Sequence, residues 1–302
     1  MNEQITHKQH YVQRKYLSLW ADDLTTDGFV MCEINHKEPK PIKITNIMFE
    51  HDFYKIPILT YNEIEVCSSI ISRFPTISKE SADEYIRNLY ISRAIHDSDN
   101  VPNSIKIELD KTLIQLGEEF QRCAENMMDD SLREKILSCN PAFLNNYEEK
   151  YSFLAYLFMQ YLRSPSSKRI IAGNLNNYSG LETPINGDNI WAVLQNVIAS
   201  GATNYMFRLK VRVKFLLSKD NAFKTCDNPV VRLALAKDKT DRFYYPFSPS
   251  VALIVGTNDD DSGVSNLSRE QVDAFNKLIE NNATRIVVSK CYTNNIKNKN
   301  RI

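Results

Sequence analysis

Glycine is scarce in this sequence: the 302-residue chain holds 8, against a usual share of roughly 7%. Loops that cradle phosphates on backbone amides need glycine where the main chain approaches a ligand or adopts positive φ. Neither G-x-x-x-x-G-K-[ST] nor G-x-G-x-x-G occurs, so P-loop and dinucleotide-fold readings are disfavoured. Net charge is missing too. Lysine plus arginine and aspartate plus glutamate both number 37, so a globally basic nucleic-acid binder is not indicated, although a local basic patch is compatible with neutrality. The six cysteines (Cys32, Cys67, Cys123, Cys139, Cys226 and Cys291) include no C-x-x-C pair, which leaves a zinc ribbon or redox motif unsupported. The first fifteen residues are polar and do not read as a secretory signal. The cysteines are therefore expected to be reduced, unpaired and mostly buried, in a cytoplasmic protein. No run of 18 apolar residues is present, so no membrane span is expected.

What is present is a globular amount of apolar side chain, 43% of the residues, enough to build a sizeable core. Val12, Tyr16, Leu19 and Trp20 recur at helical spacing from about Gln9 to Trp20. FVMCEI and PIKITNIMF flank NHKEPK, which reads as a β-hairpin with alternation through Ile42, Ile44 and Ile47. Helices are expected over Tyr61 to Phe74, Ser78 to His96, Ser104 to Met128 and Tyr147 to Arg163. The last is apolar on most sides, as a central core helix is. FRLKVRVKFLL alternates apolar residues with Arg208, Lys210, Arg212 and Lys214, the pattern of a half-buried strand with a basic outer face. AFKTCDNPVV, FYYPFSPSVALIVG and TRIVVS supply further strands. Ser268 and Gln271 stand at capping-box distance before a surface helix. The expected class is α+β: a mainly helical body with a small antiparallel or mixed sheet formed largely by C-terminal strands. One composite domain is expected over residues 1–302, helical to about 205, strand-rich over about 206–290, and ending in a polar tail over 291–302.

Four places carry candidate chemistry. His10, at the head of HYVQRKYL, is the side chain best matched to proton transfer near neutral pH. Its alternative is a surface or capping role. His7 and His10 form H-x-x-H, weak for a metal helix, which prefers i, i+4 with a nearby acid. Asp227 ends a strand immediately before Asn228-Pro229, where a carboxylate can act as base, orienter or metal ligand. The alternative is an Asx-type turn satisfying local amides. Arg163 ends the apolar helix, with Arg169 shortly after, and arginine suits carboxylate or phosphate. The alternative is a cation answering the helix dipole. Glu63 and Glu65 form a carboxylate pair of the kind usually found on a solvated helix face.

In order along the chain, HYVxxxYL, DFY, QxxRSPxxR, FxTxDNPVV and PFSPSVAL resemble the family called domain of unknown function 4238 (DUF4238). Its members begin with an HYVPxxYL-like segment and carry a late FxTSDxPV-like one. This chain has Gln13 in place of the proline and Cys226 in place of the serine. The resemblance implies that His10, Arg163, Arg169, Asp227 and Pro229 occupy motif positions and that His10, Arg163 and Asp227 converge on one site. It supplies no activity.

The leading expectation is a nuclease-like hydrolase of phosphodiester bonds, of the kind found in toxins and antiviral, phage-defence effectors. His10, Asp227 and Arg163 are the candidate catalytic residues, and Arg169, Tyr11 and Asn228 the candidate substrate-binding ones. A divalent metal is compatible with such chemistry. Expected partners are nucleic acid or a regulatory protein and not a membrane, and the oligomeric state is open. The alternative is a non-catalytic binding or regulatory module in which the His/Arg/Asp cluster is a structural polar network.

Overall fold

The computed structural model describes residues 8–73, 79–176, 185–233 and 241–291. His7, Phe74, Pro75, Ser78 and the tail beyond Cys291 lie outside them. The chain enters as β1 (Lys8–His10), not as a helix, and then forms the short α1 (Arg14–Leu17) and a 3-10 turn at Ser18–Trp20. The helix expected from Gln9 is delayed because residues 8–10 pair antiparallel with β4 (Phe49–His51), His10 opposite Phe49. Tyr16 and Trp20 still fall on one buried side, so the apolar spacing marked the core-facing residues but not where the helix starts. The hairpin forms between β2 (Phe29–Ile34) and β3 (Lys40–Lys43). Its second strand is shorter than expected, since Ile44–Asn46 is a 3-10 turn.

The helical body follows. α2 (Tyr61–Ile71) opens with a Thr60/Glu63 capping box. Then come α3 (Lys79–Asp97), α4 (Asn103–Asn126), α5 (Asp130–Leu137), α6 (Tyr147–Leu162), α7 (Pro165–Asn176) and α8 (Gly187–Arg208). α6 buries every residue from Phe153 to Gln160 and packs along α8. α5, α7 and α8 have no counterpart in the sequence reading. α8 buries six consecutive residues, Ile190 to Gln195, so it offers no amphipathic stripe for a period to reveal.

The C-terminal part holds β5 (Arg212–Leu217), β6 (Thr225–Cys226), β7 (Val231–Leu233), β8 (Arg242–Pro246), β9 (Val251–Gly256), β10 (Gly263–Asn266), α9 (Arg269–Asn282) and β11 (Ile286–Ser289). β5 starts five residues later than the alternation from Phe207 suggests, because α8 runs through Arg208. Lys150 Nζ secures that helix end, donating to the carbonyls of Phe207 at 2.9 Å and Leu209 at 3.3 Å. One sheet has the order β10-β5-β9-β8-β7 and is mixed, with β10 parallel to β5. A second, antiparallel sheet has the order β3-β2-β11-β6, so the early hairpin is completed by strands from the far end of the chain. The class is α+β, and the largest apolar core draws on residues from Tyr11 to Val288. All six cysteines are free thiols. No helix among the described residues is long and apolar enough to cross a membrane.

Candidate functional site

Two buried side chains bring the N-terminal motif against the late one. Tyr16 donates its hydroxyl to the Pro246 carbonyl at 2.5 Å and shares a 2.7 Å hydrogen bond with Thr225 Oγ1. Trp20 Nε1 donates to the Phe223 carbonyl at 3.1 Å. The HYVQRKYL segment is thus pinned to the strand that leads into Cys226-Asp227. Around this junction the contacts join five of the six sequence-predicted residues into two groups, Tyr11 excepted.

The first group contains His10 and Arg163, joined through Tyr54. The Tyr54 hydroxyl donates to the His10 carbonyl at 2.9 Å, and the Arg163 guanidinium sits 4.8 Å from the Tyr54 ring centroid. Gln9 holds the Tyr54 backbone, its Oε1 accepting from Tyr54 N at 2.7 Å. Gly117 lets α4 come this close: a Cβ there would lie 1.9 Å from the Tyr54 carbonyl oxygen. Gln121 on α4 donates to both the His10 carbonyl and Glu125.

His10 also lines an open cavity of about 450 Å³, together with Lys8, Arg14 and Lys15 and, from α4, Glu118, Arg122 and Glu125. That volume is in the range of small-ligand sites. Arg14 pairs with Asp27 and Lys15 with Asp130, both acids being well exposed, so these cations are only loosely held. The imidazole rests on Phe49, 5.8 Å between centroids, and its Nε2 is buried with no hydrogen-bond partner among the described residues. Burial lowers its pKa from 6.5 to about 4; the Ile44 carbonyl opposes the shift, and Arg14 and Lys8 add to it. The ring is therefore neutral at pH 7.

Arg163 does not share that openness. It is 1% exposed at the C-terminal end of α6, and burial pulls its pKa down against the opposing influence of Tyr54 and Glu125. Its Nη2 donates to the Phe120 carbonyl at 3.2 Å, while Nε and Nη1 are buried without partners among the described residues. The guanidinium thus ties α6 to α4 and to the Tyr54 ring. Arg163→Ala is expected to cost about 2–3 kcal/mol, and Arg163→Met, which keeps the volume without the buried charge, to recover most of it. Thermal unfolding of the two variants checks this, and equal losses would show that the charge, rather than the packing, matters.

The second group contains Asp227, Asn228 and Arg169, which meet at Thr284. Asp227 is 1% exposed. Its Oδ1 accepts from Thr284 N at 2.8 Å, and its Oδ2 from Arg285 N at 2.8 Å and Ile286 N at 3.1 Å. Burial raises its pKa, and the three amides oppose that. Asn228 Nδ2 donates to the Asn282 carbonyl at 3.0 Å and faces Thr284 Oγ1 at 3.4 Å. Asn282 Nδ2 returns a 2.7 Å bond to the Asn228 carbonyl. Arg169, exposed on α7, reaches Thr284 Oγ1 at 3.5 Å. The carboxylate expected to serve as base or metal ligand instead clamps the turn from α9 into β11. Its Asx-like capping is directed not at local amides but at amides 57 to 59 residues away.

Tyr11 stands between the groups. Its ring packs on Phe53 at 5.5 Å. Burial, with Asp227 adding and Arg285 opposing, raises its phenol pKa well above the usual value. The Glu63/Glu65 pair does not act together: Glu65 is exposed, while buried Glu63 caps Thr60 and accepts from Asn186 N at 2.9 Å, anchoring α8. Among the described residues no three of His, Cys, Asp or Glu gather where they could hold a metal ion. Sequence reasoning missed Tyr54, Gln121 and the cavity cations. Only Tyr54 carried a signal, as the last residue of the DFY segment.

No curated protein and no solved structure matches the chain. Residues 179–291 match the model of the family described as protein of unknown function (DUF4238), the family that the ordered motifs resemble, and this span includes Asp227 and Thr284 but not His10.

Proposed function

We propose that this protein is a nuclease-like hydrolase of phosphodiester bonds, with His10 as its general base and the cavity beside β1 as its reaction site. The observation that carries the reading is a neutral imidazole with an unpartnered buried nitrogen on the wall of a cavity supplied with Lys8, Arg14, Lys15 and Arg122. A phosphodiester is an anion whose negative charge must be met throughout the reaction, and preorganised cations meet it. In the proposed step His10 takes a proton from water as its oxygen bonds to phosphorus. The bond to the leaving oxygen breaks, and that oxygen takes a proton from solvent. An anion in the cavity also offsets the pull of Arg14 and Lys8 on the imidazole and raises its basicity. Asp227 and Arg163 are positioning residues in this reading: the first fixes the 284–286 turn, the second the Tyr54 support under His10. Such an activity suits a toxin or defence effector acting on nucleic acid.

A second reading, a non-catalytic binding or regulatory module, is favoured by the enclosure of Asp227 and Arg163. The two separate on one experiment. Purified protein is incubated with labelled single-stranded and duplex DNA and RNA, with and without divalent cations, beside a His10→Ala variant. Cleavage by the parent and none by the variant supports the hydrolase. Intact substrate under every condition favours the binding module.

A further inference from the structure

We infer that Glu125, on the wall of the His10 cavity, is a specificity-determining residue that accepts a hydrogen bond from a ribose 2′-hydroxyl, so that the cavity takes a ribonucleotide unit of a single strand in preference to a deoxyribonucleotide. The inference rests on the phosphodiester reading above and adds to it the class of sugar. The charges lining the cavity are of both signs. Beside Lys8, Arg14, Lys15 and Arg122 it carries the carboxylates of Glu118 and Glu125. Cations alone would suit a bare phosphate. A carboxylate among them repels that phosphate unless a hydrogen-bond donor stands between the two.

Glu125 does not serve to neutralise the cations. Three of them pair with acids that do not line the cavity: Arg14 with Asp27, Lys15 with Asp130 and Arg122 with Glu119. Lys8 Nζ lies over the Phe49 ring, 4.0 Å from its centroid. Glu125 makes no ion pair with another described residue, and its Oε1 is held instead by a neutral amide, accepting from Gln121 Nε2 at 2.9 Å. Glu118, Gln121, Arg122 and Glu125 stand at i, i+3, i+4 and i+7 on α4, which places them on one face of the helix. The same Gln121 Nε2 reaches the His10 carbonyl at 3.4 Å. One amide thus ties the carboxylate to the residue that carries the base.

A fixed acceptor beside a phosphate site is matched by a hydroxyl donor. In a nucleotide strand the 2′-hydroxyl neighbours the 3′-phosphate, and it is the group that tells RNA from DNA. RNA gains a charge-assisted hydrogen bond at Glu125, whereas DNA meets an unshielded carboxylate. The cavity, at about 450 Å³, is on the scale of a single small ligand, so it admits one nucleotide of an unpaired strand and not a duplex. Contacts to sugar and phosphate carry no base identity, and recognition is expected to be insensitive to base sequence.

The test uses uridine 3′-monophosphate and 2′-deoxyuridine 3′-monophosphate, which differ only in that hydroxyl and hold no phosphodiester to cleave. Calorimetric titration of the parent is expected to show the ribonucleotide bound about tenfold more tightly, the effect of one hydrogen bond to a charged group. Glu125→Met keeps the length of the side chain without the acceptor. It is expected to abolish the preference while binding the deoxyribonucleotide no more weakly than the parent does. Glu125→Gln, closer in shape, is expected to lose part of the preference and gives the reading if the methionine variant does not fold. Equal binding of the two nucleotides by the parent, binding of neither, an undiminished preference in a folded variant, or equal weakening of both nucleotides would each overturn the inference. The hydrolase reading fails separately. A preference that depends on Glu125, without cleavage of any strand, keeps the ribonucleotide site and removes the hydrolase. Equal cleavage of RNA and DNA, with no preference in binding, keeps the hydrolase and removes this role of Glu125.

Discussion

Asp227→Ala is expected to destabilise the fold by about 4 kcal/mol, the largest stability loss of any single substitution considered for this protein. Its two carboxylate oxygens hold three consecutive backbone N–H groups, those of Thr284, Arg285 and Ile286. A hydrogen bond to a charged group contributes roughly 1.5–3 kcal/mol, and a buried donor left unpaired costs the full desolvation penalty. Alanine removes all three acceptors at once and brings none in return. The consequence spreads beyond the turn. Ile286 opens β11, which pairs with β2 on one side and β6 on the other, so loosening residues 284–286 unfastens the centre of the second sheet. For a chain of this size the loss corresponds to roughly 6 °C in Tm. Asp227→Asn keeps the shape but turns an NH2 donor toward an amide donor, and is expected to recover less than half. Thermal unfolding with an activity assay on the remaining folded fraction checks both. A variant melting within about 2 °C of the parent but inactive would return Asp227 to the catalytic set and refute the clamp.

This result bears on what the sequence can disclose. The acid-before-proline pattern at Asp227-Asn228-Pro229 marks a place where a carboxylate is fixed by its neighbours, and that much was readable. The partners were not, because they lie 57 to 59 residues downstream and are backbone amides, which carry no residue identity to recognise. The same contrast runs through the fold. The capping box at Ser268 and Gln271 is local, and α9 begins where those two residues put it. The β5 alternation is local as well, but its beginning at Arg212 depends on how far α8 extends, and α8 buries six residues in a row without a period. β1 shows the same limit most sharply. His10 sits in a strand because Phe49 lies across from it, and no spacing within HYVQRKYL encodes that pairing. The convergence of late and early motifs was legible as an ordered set. Its division into an open cavity at His10 and a closed clamp at Asp227 required the third dimension.

His10→Ala is expected to lower phosphodiester cleavage by about 100-fold or more, the scale of a positioned general base, while the protein stays folded. The stability cost is small because the imidazole nitrogen Nε2 has no protein partner to abandon and the ring contact to Phe49 is a single aromatic pair. The pH dependence identifies the group. With a pKa near 4 in the folded protein, the acid limb of kcat/KM is expected near pH 4 rather than near 6.5, and it disappears in the alanine variant. Stability carries the same signature with a definite sign. The unfolded chain binds a proton at this histidine near pH 6.5, whereas the folded chain resists it until about pH 4. The unfolded state therefore holds more protons between those values, and native stability is complete above pH 6.5 and falls as the pH drops toward 4. Acidification across that window should accordingly lower the stability of the parent relative to His10→Ala, so that two unfolding curves that nearly coincide at neutral pH separate. An acid limb centred on pH 6.5 would mean that the imidazole is solvated rather than desolvated on the cavity wall. Full cleavage by the alanine variant would move the proton transfer to another group and leave His10 as part of the wall alone.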